Sequence, residues 1–150
     1  MKNTISTPTV VAAREVVADI SVLHEHLNFV SSSVTIEGRP GAQLVVRANQ
    51  TMFAPFRIYQ ISFYIPHTIK AGTHPLGSEE DEILAHYLPP NTNQTDSYNA
   101  ISGSITFYED PTATRLRGTF DFKGRRFHEE HPEIADIRNG TLNVEVETAK

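Results

Sequence analysis

Residues 116–122 read LRGTFDF, a run in which apolar and polar side chains alternate. The same alternation occurs in ISGSITF at residues 101–107 and in LNVEV at residues 142–146, and turn-forming stretches separate the three runs. A period of two is typical of strands that have one buried face and one solvated face. The C-terminal third of the chain therefore predicts an antiparallel β-sheet.

Further strand signals lie upstream of this sheet. Residues 34–37 and 44–47 flank a stretch rich in glycine and proline and predict a hairpin. Residues 56–65 and 83–88 are rich in β-branched and aromatic side chains, and each run stops at proline. About seven short strands without interleaved helices predict a mainly β fold, an antiparallel β-sandwich or an open barrel, and we prefer the sandwich.

The N-terminal segment is the ambiguous part of the chain. Apolar residues recur between residues 9 and 28 at spacings of three and four, which predicts one amphipathic helix that covers an edge or a mouth of the sheet. The β-branched pairs Val10-Val11 and Val16-Val17 would instead suit a strand, so both alternatives stay open. We expect residues 1–8 to form a flexible tail and residues 9–150 to form a single β-rich domain.

Composition excludes several classes of partner and site. The chain has 13 Lys and Arg against 18 Asp and Glu, and this net charge of -5 argues against nucleic-acid binding. The absence of Cys excludes disulfides and thiolate metal sites. No window approaches about 18 consecutive apolar residues, and the N-terminus does not resemble a signal peptide. We therefore expect a soluble cytoplasmic protein without a membrane span, although secretion by another route stays open.

Three strand signatures resemble those of a family of uncharacterised bacterial β-sandwich proteins. They are SGSITF at residues 102–107, RGTFDF at residues 117–122 and RNGTLNV at residues 138–144, and the resemblance extends over roughly residues 42–147. It implies a β-sandwich fold. Because that family has no established activity, the resemblance implies no catalytic residue and no cofactor.

One histidine-containing loop has the residue types of a metal site. His128 and His131 are three residues apart, and Glu130 could add an oxygen ligand to the two imidazoles. The sequence differs from the zinc-protease motif, and a solvated loop of mixed charge explains the same residues. We therefore expect no cofactor, and a metal ion in this loop is the alternative, because nucleotide-binding fingerprints and a nucleophile elbow are absent.

Four other residues are candidates for binding. Tyr64 and Tyr108 fall on the polar faces of their predicted strands, where exposed aromatic side chains often form recognition surfaces. Arg125 and Arg126 adjoin the histidine-containing loop. The tyrosines can equally be cross-strand pairs that stabilise the sheet.

These features support three functional hypotheses. The first is a non-enzymatic module that binds a protein partner, or a second copy of itself as a homodimer, through the helix stripe or the tyrosine-bearing face. The second is a lipocalin-like carrier or enzyme that holds a small apolar ligand in a barrel pocket, with His67, His74 or His86 as the polar group. The third is a metal-dependent hydrolase that uses the loop from His128 to Glu133. The sequence leaves open whether the protein is an enzyme, and we favour a non-enzymatic role.

Overall fold

The computed structural model describes residues 14–39, 43–77, 83–90, 97–126 and 133–146. This part of the chain is mainly β and antiparallel, as predicted, and it contains ten strands instead of about seven. The three alternating C-terminal runs lie in its last three strands. The strands are β1 (Arg14–Val22), β2 (Glu25–Val30), β3 (Ser33–Arg39), β4 (Gln43–Met52), β5 (Arg57–Pro66), β6 (Gly72–Pro75), β7 (Leu84–Leu88), β8 (Tyr98–Phe107), β9 (Arg115–Arg125) and β10 (Ile134–Glu145).

All described strands join one sheet, so they do not form the two packed sheets of the preferred sandwich, and the open barrel is the closer of the two predicted arrangements. The strand order is β2-β1-β10-β9-β8-β7-β5-β4-β3, and β6 pairs with β8 beside this path. The nine strands of the main path curl into a half-barrel, which lets one sheet bury its apolar face against itself.

The helix predicted over residues 9–28 is wrong within the described range, where β1 and β2 form a hairpin. Leu23, one of the apolar residues with helical spacing, is 73% accessible, and Val30, which continues that spacing, is 46% accessible. β1 instead buries Val16, Ala18 and Ile20, which follow a period of two. The described ranges contain no helix, and so none that could cross a membrane. Residues 1–13 lie outside the described residues.

A two-residue corner connects the two edges of the curled sheet. β2 and β3 are at opposite ends of the strand order, yet only Ser31 and Ser32 separate them in the chain. The Ser31 N–H donates to the Val16 carbonyl oxygen (3.0 Å), and the Ser32 N–H donates to the Asn49 carbonyl oxygen (2.6 Å). The corner is thus hydrogen-bonded to strand β1 at one edge and strand β4 at the other.

The concave face of the sheet holds the core. Alternate residues of nearly every strand point into it, and an aromatic cluster occupies the middle. The Phe63 ring lies 5.0 Å from the Phe120 ring and 6.5 Å from the Phe122 ring, in edge-to-face arrangements. All three side chains are at most 3% accessible. These three rings are thus part of the buried core of the sheet.

Candidate functional site

A cavity of about 550 Å³ opens at one end of the half-barrel. This end contains the ends of β1, β7 and β9 and the beginnings of β2, β5, β8 and β10. We call the cavity the mouth pocket. Its lining comprises Val22, Leu23, His24, Glu25, Arg57, Tyr59, Tyr87, Pro89, Pro90, Tyr98, Arg126 and Glu133.

The strand alternation explains why three tyrosines face this pocket. Tyr59, Tyr87 and Tyr98 occupy the same alternating positions as the core residues of their strands, each within three residues of the strand end. The rings of Tyr87 and Tyr98 stack with centroids 5.9 Å apart. Gly124 on neighbouring β9 leaves room for Tyr98, because a Cβ atom there would lie 3.1 Å from the Cβ of Tyr98. The pocket therefore has an aromatic wall that ends in hydroxyl groups.

Burial keeps two of these hydroxyl groups protonated. It raises the pKa of Tyr87, and the neighbouring Tyr59, Tyr98 and Glu25 raise it further. Burial also raises the pKa of Tyr98, and the positive charge of Arg126 opposes this shift. Both phenols are therefore neutral hydrogen-bond donors at physiological pH.

Arg126 is the main cationic group of the wall. Its guanidinium carbon lies 4.7 Å from the centroid of the Tyr98 ring, in cation–π contact. Its Nη1 atom is 3.8 Å from Oε2 of Glu133, which also accepts a hydrogen bond of 3.3 Å from the Tyr98 hydroxyl. The Nε–H of Arg126 is buried without a hydrogen-bond partner among the described residues. The guanidinium of Arg126 is therefore a cation in the lining of the pocket, with Glu133 as its carboxylate neighbour.

A second arginine lies across the opening. Arg57 donates from Nε to the Tyr59 hydroxyl (3.3 Å) and from Nη1 to the Pro55 carbonyl oxygen (2.9 Å). These bonds hold the guanidinium at the rim of the β4–β5 turn. With Glu25 and Glu133 present, the four charged groups of the pocket balance at neutral pH.

Exposed apolar side chains lie on two turns beside the mouth pocket. Phe53 and Phe56, in the turn between β4 and β5, are 74% and 64% accessible, and their ring centroids are 5.8 Å apart. Leu23, which lines the pocket, is also exposed at the tip of the β1–β2 hairpin. Large exposed apolar side chains thus lie on two of the hairpin turns at this end of the molecule, β1–β2 and β4–β5.

The four predicted binding residues are in different places. Arg126 lines the mouth pocket, whereas Arg125 is exposed on the convex face. Tyr64 is half-buried on the convex face of β5, with its ring centroid 5.5 Å from that of His86. Tyr108 follows the far end of β8 and is 66% accessible. Whether Tyr64 and Tyr108 form a recognition surface stays a prediction.

The histidines predicted as polar groups of a barrel pocket lie away from the mouth. His67 is exposed beyond the end of β5, and Nε2 of His74 is 2.7 Å from the Lys70 carbonyl oxygen. His86 faces the convex side. The metal candidates His128, Glu130 and His131 lie outside the described residues, so that site stays a prediction. The described ranges contain no group of three or more side chains able to hold a metal ion.

Sequence reasoning missed most of the mouth pocket. Arg57, Tyr59, Tyr87 and Tyr98 were not selected, although one signal was present in the sequence. Each tyrosine falls on the apolar face of its strand and close to a strand end, where a phenol can reach solvent. The chain shows no significant similarity to any protein-family model, curated protein or solved structure, so the resemblance to the bacterial β-sandwich family stays a prediction.

Proposed function

We propose that the protein binds a small organic molecule in the mouth pocket, one with an aromatic or apolar body and an anionic group. The observation that carries the proposal is the cavity of about 550 Å³ lined by three tyrosines and the guanidinium of Arg126. Its volume falls within the range of small-molecule sites, which combine apolar walls with a few convergent polar groups.

The ligand class follows from the lining. The stacked rings of Tyr87 and Tyr98 offer a flat surface to an aromatic or apolar body. The guanidinium of Arg126 and the neutral Tyr87 hydroxyl would donate to a carboxylate or sulfonate. The aromatic cluster below restricts the ligand to the mouth, so this carrier would differ from a deep lipocalin-like barrel. The proposal concerns binding and assigns no reaction.

The matched pair Arg126 and Arg125 tests this proposal. We expect the fluorescent probe 1-anilinonaphthalene-8-sulfonate to bind the folded protein at one saturable site. Arg126→Gln should weaken binding about tenfold, because a charge-assisted hydrogen bond contributes roughly 1.5–3 kcal/mol. Arg125→Gln removes the same charge from the convex face and should leave the affinity unchanged.

Folding controls and native mass spectrometry complete the test. Near-ultraviolet circular dichroism of each variant separates loss of the site from loss of packing, since the probe also binds partly folded states. Equal effects of the two substitutions would contradict the proposal. Native mass spectrometry of the protein purified without added ligand should show an additional mass of a few hundred daltons if a cellular ligand is retained.

A second candidate function is self-association or protein binding through the rim. This candidate keeps the interaction-module hypothesis but assigns the contact surface to Phe53 and Phe56. Their exposure favours such a contact. The double substitution of Phe53→Ser and Phe56→Ser should shift any concentration-dependent association measured by sedimentation velocity toward monomer. Ile101→Ser, at another exposed apolar position, is the control. An unchanged monomer in all samples would remove self-association from consideration.

A further inference from the structure

A row of polar residues crosses the convex face of the sheet, on the side away from the mouth pocket. Arg47 on β4 is opposite Ser62 on β5, Ser62 is opposite His86 on β7, and His86 is opposite Asn99 on β8. Neighbouring strands are about 4.8 Å apart, so Arg47 and His86 have Cα atoms roughly 10 Å apart. The row therefore places a cation and an imidazole on either side of a serine.

The small side chain of Ser62 explains the hollow at the centre of this row. Ser62 is 6% accessible, and the larger Gln60 and Tyr64 flank it on the same strand. With Arg47 and His86 they surround a cavity of about 220 Å³, which we call the convex pocket. At about 30 Å³ per water molecule, this space holds roughly seven non-hydrogen atoms.

Hydrogen bonds around Asn99 determine which nitrogen of His86 carries the proton. The Asn99 Nδ2 group donates to the Ser97 carbonyl oxygen, which can only accept, so the amide orientation is determined. Oδ1 of Asn99 therefore faces Nδ1 of His86 and accepts its proton. The neutral ring then carries its lone pair on Nε2. Burial lowers the pKa of His86, against the hydrogen bond to Asn99, and so favours this neutral ring.

The cation of the row is available for a ligand. The Nη1 atom of Arg47 lies 3.5 Å from Oε1 of Glu37. Both side chains are partly exposed, with accessibilities of 32% for Arg47 and 56% for Glu37. Such a surface pair contributes roughly 0–1 kcal/mol, and the guanidinium has five donors. An anion in the convex pocket could therefore share Arg47 with Glu37.

We propose that the convex pocket binds a small hydroxycarboxylic acid, with its carboxylate on Arg47 and its hydroxyl group donating to Nε2 of His86. This class combines the two groups that the pocket complements, an anion and a hydrogen-bond donor a few ångströms apart. Its smallest members have five or six non-hydrogen atoms and fit the volume. The site is independent of the mouth pocket, since β7 and β8 present the two pockets on opposite faces.

Nuclear magnetic resonance of histidine labelled with ¹⁵N tests this proposal with lactate as the probe. In the free protein, we expect His86 to show a protonated Nδ1 and an unprotonated Nε2. Lactate should shift the His86 signals saturably. Propionate, which lacks the hydroxyl group, should bind at least about fivefold more weakly. The opposite tautomer, or equal affinity for the two acids, would overturn the proposal.

Two variants and one control locate the binding. Ser62→Leu should fill the convex pocket and abolish the response to lactate. Arg47→Gln, at a more exposed position, should weaken the affinity about tenfold and serves as the second variant if Ser62→Leu fails to fold. His74→Gln, on β6, is the control and should leave the affinity for lactate unchanged. If Arg47→Gln still binds lactate with the wild-type affinity, the proposed site is wrong.

Discussion

Gly118 lies at a close approach between two strands of the sheet. A Cβ atom at this position would overlap the carbonyl oxygen of Thr106 and would lie 3.2 Å from Cα of Phe107. We expect Gly118→Ala to lower the free energy of unfolding by at least about 2 kcal/mol, because backbone atoms of β8 and β9 would have to move apart. Urea denaturation measures the change.

The control for this prediction is another glycine, at which a Cβ atom would make only ordinary van der Waals contacts. A Cβ atom on Gly38 would be 3.5 Å from the Cβ of Ala113, an ordinary contact. Gly38→Ala should therefore change the stability by less than about 1 kcal/mol. If Gly118→Ala and Gly38→Ala lose the same free energy of unfolding, the close approach of backbone atoms at Gly118 does not explain the loss.

His86 predicts a dependence of stability on pH. Because burial lowers its folded-state pKa below the usual 6.5, the unfolded chain binds a proton at higher pH than the folded chain does. The contribution of His86 to the free energy of unfolding is complete above pH 6.5. It falls as the pH drops from 6.5 toward the folded-state pKa, and below that value it stays constant.

Denaturation between pH 7.5 and pH 5 tests this expectation. His86→Gln should flatten the part of the profile that His86 causes, while the wild-type protein loses stability over the same window. A ¹⁵N titration of the His86 imidazole in the folded protein gives the folded-state pKa directly. Identical slopes for wild type and variant would contradict the assignment.

At the scale of elements, the N-terminal segment shows how two periodicities can coexist. Val16 and Ile20 fit both the helical stripe and the alternation of a strand, so they do not discriminate. Leu23 fits only the helical pattern, yet it lies exposed in the two-residue turn between β1 and β2. Local propensity could not decide between the alternatives, because pairing of β1 with β10 settles the conformation and is a contact across more than 100 residues.

The turn itself allows a test of this hairpin. Leu23 has a φ of 57°, which costs a residue with a large side chain roughly 1–2 kcal/mol and is tolerated by Asn. We expect Leu23→Asn to raise the free energy of unfolding by about 1 kcal/mol, as measured by thermal or urea denaturation. Val30→Asn, also at an exposed position of the hairpin, should lower it, because a strand favours β-branched residues.

At the scale of the whole molecule, the corner between β2 and β3 joins the two edges of the sheet. The Ser31 hydroxyl accepts from the Val16 N–H, and the Ser32 hydroxyl accepts from the Thr51 N–H, each at 3.0 Å. We expect the double substitution of Ser31→Ala and Ser32→Ala to lower the free energy of unfolding by roughly 1–3 kcal/mol. Amide hydrogen exchange at Val16 and Thr51 should accelerate together.

A serine elsewhere on the sheet provides the comparison for the corner. Ser102 is exposed on β8 and far from the corner in the strand order, so Ser102→Ala should have an effect within about 0.5 kcal/mol. If the corner variant exchanges like the wild type at both amides, its hydroxyl groups do not connect the edges.

The candidate sites depended on this global arrangement more than on any motif. Arg126 and Tyr98 come together because β8 and β9 pair, and Arg57 reaches the same pocket from a strand two positions further along the sheet. The convex pocket likewise needs the register that places Ser62 between Arg47 and His86. Sequence reasoning selected Arg126 and Tyr64 but had no means of assigning them to different faces.

The sequence by itself determined the mainly β, antiparallel character of the chain, the buried faces of β9 and β10 and the absence of cysteine chemistry, because alternation and composition act locally. Tertiary structure alone decided that residues 14–30 form a hairpin, that the strands curl into one sheet and that tyrosines gather at its mouth. These features depend on strand pairing between distant parts of the chain. Their free energy comes from burial that no short window of residues contains.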